Sequence, residues 1–69
     1  MDEMDKISND DIINFKKIFS NLPDKVRNED IILVIDKKTY TWNAVFFEVN
    51  NSTELGKKML KKLKELRII

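Results

Sequence analysis

The chain has 69 residues with no cysteine and no histidine, and its 13 basic and 12 acidic side chains leave a formal net charge of +1 at pH 7. That length excludes a second hydrophobic core and leaves one domain of marginal size, in which disulfides are impossible and a transition-metal site lacks its imidazole and thiolate ligands. The same absences remove the commonest general base and the strongest nucleophile, and a single glycine excludes a glycine-rich phosphate loop.

Residues 1–7 read as a disordered tail ahead of one domain over residues 8–69, because Met1 to Lys6 is polar and precedes the first periodic pattern. Asp2, Glu3 and Asp5 do not form a calcium loop, since the turn glycine and the glutamate at the twelfth position are both missing. The acidic start is no secretory signal, and nowhere do about 18 apolar residues run together. A cytoplasmic protein with no membrane association is expected.

Ser8 or Asn9 is a fair N-cap, with Asp10 and Asp11 in the first turn, where negative charge suits the helix dipole. Ile12, Phe15, Ile18, Phe19 and Leu22 follow at three- and four-residue spacing and predict a helix that Pro23 ends near Leu22, while Ile13 points away from that face. The connector from Leu22 to Asp30 is polar apart from Val26, with room for one helical turn starting at Pro23. Ile31 to Ile35 is a run of five branched apolar residues and the best strand in the chain. Its lack of alternation predicts burial on both faces, or one face in the core and the other against a partner. Asp36-Lys37-Lys38 then leads into Thr39-Tyr40-Thr41, which predicts an antiparallel hairpin with an unusual turn, lacking glycine and asparagine.

The densest apolar run, Tyr40 to Val49, is read as a helix capped by Thr41; a continuous strand over 39–49 is the alternative. As a helix it carries Trp42, Val45, Phe46 and Val49 on one face and Ala44 and Phe47 opposite, so it is expected to be buried nearly all round, with Trp42 at the centre of the fold. After Asn50-Asn51-Ser52, Thr53 caps a last helix whose stripe of Leu55, Met59, Leu63 and Leu66, widened by Leu60, opposes Lys57, Lys58, Lys61, Lys62 and Lys64. Gly56 inside that helix costs about 1 kcal/mol relative to alanine, which predicts a close approach to the preceding helix. The fold class is therefore α+β, in the order α-β-β-α-α, with a two-stranded hairpin packed against helices.

No cofactor, metal or small-molecule substrate is expected. The carboxylate pairs Asp10-Asp11 and Glu29-Asp30 sit at element boundaries, where capping and solubility explain them. The expected function is non-catalytic: a protein-interaction or regulatory module, with self-association to a homodimer, on the apolar groups the topology leaves over. Those are Ile13, one face of Ile31 to Ile35, Phe47, Ile68 and Ile69. The alternative is nucleic-acid binding through Lys57, Lys58, Lys61, Lys62 and Lys64. Charge supports it, being −3 over residues 1–30 and +4 over residues 53–69, as does the outline of a helix-turn-helix. Against it, the body of the last helix has no arginine, asparagine or glutamine to read base edges, and a lysine face opposite a leucine stripe also describes any solvated amphipathic helix.

Overall fold

The computed structural model describes residues 8–69; the expected tail over residues 1–7, with Asp2, Glu3 and Asp5, lies outside them. Among the described residues the elements are α1 (Asn9–Ser20), α2 (Asp24–Glu29), β1 (Ile31–Ile35), β2 (Lys38–Thr41), α3 (Trp42–Asn50) and α4 (Glu54–Glu65). The architecture is a mixed α+β domain in which one antiparallel hairpin packs against helices. The order is α-α-β-β-α-α, because the polar connector forms a short helix rather than a single turn. Pro23 is its N-cap, in extended geometry, rather than its first helical residue.

Helices α1, α3 and α4 each begin where a side-chain oxygen meets an unpaired amide, whereas α2 has no side-chain cap. Ser8 caps α1 in a capping box, accepting from the Asp11 amide while its own amide donates to the Asp11 carboxylate. Thr41 accepts from the Ala44 amide and Thr53 from the Gly56 amide, so α3 and α4 start as their caps predict, and the strand alternative for 43–49 is excluded. Helices α3 and α4 both end in a Schellman turn. Ser52 (φ 54°) and Arg67 (φ 59°) are left-handed, and the amides that follow reach back, Thr53 to the Glu48 carbonyl and Ile68 to the Leu63 carbonyl.

The two-residue turn Asp36-Lys37 has positive φ at both positions, 51° and 69°, the geometry of a turn that matches strand twist. The ladder pairs Ile35 with Lys38, Val34 with Thr39 and Leu33 with Tyr40, then shifts so that Ile31 pairs with Thr41. Ile32 is the extra residue of a β-bulge, and the shift explains why Ile32 as well as Leu33 contributes to the core.

The buried core is Phe15, Leu33, Val45, Val49, Met59, Leu60 and Leu63, drawn from α1, β1, α3 and α4. Its centre is Phe15 rather than Trp42. The Phe15 ring lies 6.0 Å from Trp42, 6.1 Å from Phe19 and 6.4 Å from Phe46, and Phe19 stacks on Phe46 at 4.3 Å. Trp42 is only half-buried, at the margin of this cluster. Nor is α3 buried all round: Val45 and Val49 face the core, while Asn43 and Phe47 are exposed. Helix α2 is positioned by Arg27, whose guanidinium lies 4.7 Å over the Phe19 ring and donates to the Phe19 and Ser20 carbonyls at the end of α1.

Candidate interaction surface

Ile13 lies one step round α1 from the face that carries Phe15, and remains 58% exposed. Phe47 lies two residues beyond Val45, hence on the opposite side of α3, and is 61% exposed. On β1, Ile31 and Val34 are 50% and 58% exposed. The strand is therefore not buried on both faces. Among the described residues it pairs with β2 alone, leaving its other edge without a strand partner.

Ile68 and Ile69 differ from this group. The Schellman turn at Arg67 returns the chain toward the domain, and both isoleucines are half-buried against the core cluster. Leu66 takes their place among the exposed groups, at 54%. By spacing it belongs to the α4 stripe, but α4 ends at Glu65, and Leu66 is the C-cap residue. A left-handed cap one residue later is invisible in the spacing of leucines.

The lysine face of α4 is less open than its sequence implies. Lys64 Nζ donates to Asp11 Oδ2 at 3.2 Å, tying the last turn of α4 to the first turn of α1. Lys57 pairs with Glu54 at 3.4 Å between two exposed side chains, which contributes little. Lys61 also has a partner of its own. Lys58 and Lys62 are exposed, with no ion pair among the described residues.

Asp11 is the one buried charged residue among those described. Its carboxylate is held below the ordinary aspartate value, chiefly by the hydrogen bond from the Ser8 amide; desolvation opposes this, and the Lys64 ammonium and the Ser8 hydroxyl add to it. Both roles are structural. Asp10 beside it is exposed, as are Glu29 and Asp30, where Asp30 is the C-cap of α2. Among the described residues no three acidic side chains gather to hold a metal ion, and no helix is long and apolar enough to cross a membrane. Compared with protein-family models, curated proteins and solved structures, the chain matches none.

Proposed function

We propose that this domain is a non-catalytic protein-interaction module that associates with a second copy of itself through its exposed apolar side chains. One observation carries the reading: Ile13, Ile31, Val34, Phe47 and Leu66 are each at least half exposed in a domain of only 69 residues. Single exposed apolar groups need no explanation, but this many on so small a surface suits an interface. The open edge of β1, with Ile31 and Val34 on it, adds backbone donors and acceptors that a second strand would satisfy. The absence of histidine and cysteine supports a binding role over catalysis, and the absence of cysteine is compatible with a cytoplasmic setting.

The test is light scattering across a concentration series at low and high salt, with and without a generic DNA duplex. A dimer indifferent to salt and DNA is expected. Phe47→Lys is expected to return it to a monomer with an unchanged circular dichroism spectrum. A wild-type chain that stays monomeric at all concentrations overturns the reading. If that monomer also binds DNA at low salt and releases it at high salt, the lysine face of α4 is the functional surface instead.

A further inference from the structure

The hairpin is charged unevenly along its length. At its root Glu29 and Asp30 carry −2, and at its tip Asp36, Lys37 and Lys38 sum to +1. All five side chains are exposed, and among the described residues none has an ion-pair partner. We propose that β1 of one copy pairs antiparallel with β1 of a second copy about a two-fold axis at Val34, joining two hairpins into one four-stranded sheet. The inference rests on the self-association proposed above and adds its geometry, through backbone direction, register and charge.

Direction follows from the turn. Across a two-residue turn the flanking residues, here Ile35 and Lys38, form the first hydrogen-bonded pair, and the next pair, Val34 and Thr39, exchanges no hydrogen bonds. The Val34 amide and carbonyl therefore point away from β2, toward the open edge of the sheet. Among the described residues no hydrogen bond outside the strand pair engages them.

Register follows from the bulge. Ile32 interrupts the ladder, so the regular part of β1 runs from Leu33 to Ile35, with Val34 at its midpoint. A two-fold axis there lets each Val34 amide donate to the carbonyl of its copy. Leu33 is buried while Val34 and Thr39 are exposed. The outer face of the joined sheet then carries a row of four β-branched side chains, Thr39 and Val34 from each copy, at cross-strand distance.

Charge selects the orientation. Antiparallel pairing lays the tip of each hairpin beside the root of the other, so +1 meets −2 twice, whereas parallel pairing sets root on root and tip on tip. Exposed pairs add little affinity, so the wild-type dimer stays insensitive to salt. The penalty for like charges brought together is what excludes the parallel arrangement.

The experiment follows amide hydrogen exchange by NMR over a concentration series in which light scattering tracks the dimer. Exchange at the Val34 amide is expected to slow as dimer forms, while exchange at the Thr39 amide, which faces the other edge, stays constant. Val34→Pro removes the outward donor and leaves the ladder with β2 intact; it is expected to weaken association at least tenfold, and Val34→Thr to leave it within a few-fold. Two charge reversals, Glu29→Lys with Asp30→Lys and Lys37→Glu with Lys38→Glu, are each expected to weaken association several-fold at low salt. An equimolar mixture of the two chains is expected to restore it, because a reversed root then meets a reversed tip. A dimer whose Val34 exchange ignores concentration overturns this pairing and leaves self-association through another surface, and reversed chains that associate as the wild type does overturn it too. A chain monomeric at every concentration overturns both readings.

Discussion

Asp11 Oδ2 accepts hydrogen bonds from the Ser8 amide, the Ser8 hydroxyl and Lys64 Nζ, and this convergence makes stability depend on its ionisation. A carboxyl whose folded value is depressed stabilises the fold fully above the unfolded value of about 3.9, and loses that contribution as the pH falls through the lower folded value. Asp11→Asn is therefore expected to lower stability near pH 7 by about 1 to 2 kcal/mol, the range of a lost N-terminal cap, and the deficit against wild type shrinks on acidification below about pH 4. Urea unfolding of both chains at pH 7 and pH 3 checks this; an equal deficit at both values would remove the ionised carboxylate as the cause. Two of the three residues of this cluster are legible in the sequence. Ser8 reads as a cap and Asp11 as a first-turn acid, because both depend on residues within one turn. Lys64 lies 53 positions away, and only the packing of α1 on α4 selects it over the other lysines of its helix.

The α3–α4 pair turns on the one glycine. A Cβ built on Gly56 stands 2.5 Å from the Glu48 carbonyl oxygen and 2.7 Å from its carbon, both backbone atoms that cannot rotate aside. Gly56→Ala gains about 1 kcal/mol of helix propensity but forces the two helices apart, and a net loss of about 1 to 3 kcal/mol is expected from overpacking. A lower urea midpoint is the readout, and an unchanged or higher one would mean that the helices separate freely. The hairpin gives the opposite sign. Lys37 at φ 69° is a side-chain-bearing residue in the left-handed region, which costs about 1 to 2 kcal/mol relative to right-handed geometry. Lys37→Gly is expected to stabilise the domain by up to about 1 kcal/mol after the extra unfolded-chain entropy of glycine is counted, with an unchanged denaturant slope. The Gly56 contact could be foreseen because glycine inside a strong helix needs a reason. The extent of the short helix α2 is not legible in the sequence: no buried residue marks it, and what holds it is Arg27 stacking on Phe19, a tertiary contact with no periodic signature.

Across the whole molecule, spacing identified the elements but ranked their burial imperfectly. Phe15 and Trp42 both read as core aromatics; the one from mid-α1 became the centre because α1 lies over both α3 and α4, whereas Trp42 opens α3 at the edge of the cluster. Ile13 and Phe47 are exposed because each lies off a well-formed apolar face, so the apolar density around Phe47 overstates the burial of α3. If these residues and those on β1 meet a second copy, folding and association are linked, and the thermal midpoint is expected to rise with protein concentration. A midpoint constant over a hundredfold range of concentration argues against a coupled dimer. Phe47→Lys separates the effects, since an exposed side chain contributes little to the monomer and its change is expected to abolish only the concentration dependence.

The Ser8–Asp11–Lys64 junction also brings the beginning and the end of the described fold together. The first turn of α1 and the last turn of α4 are held side by side, so residues 8 and 64 lie at the same pole of the described fold. A domain with that arrangement can be spliced into a surface loop of a host protein at little cost to either partner, while its hairpin, built from the middle of the chain, stays anchored to the core through Leu33.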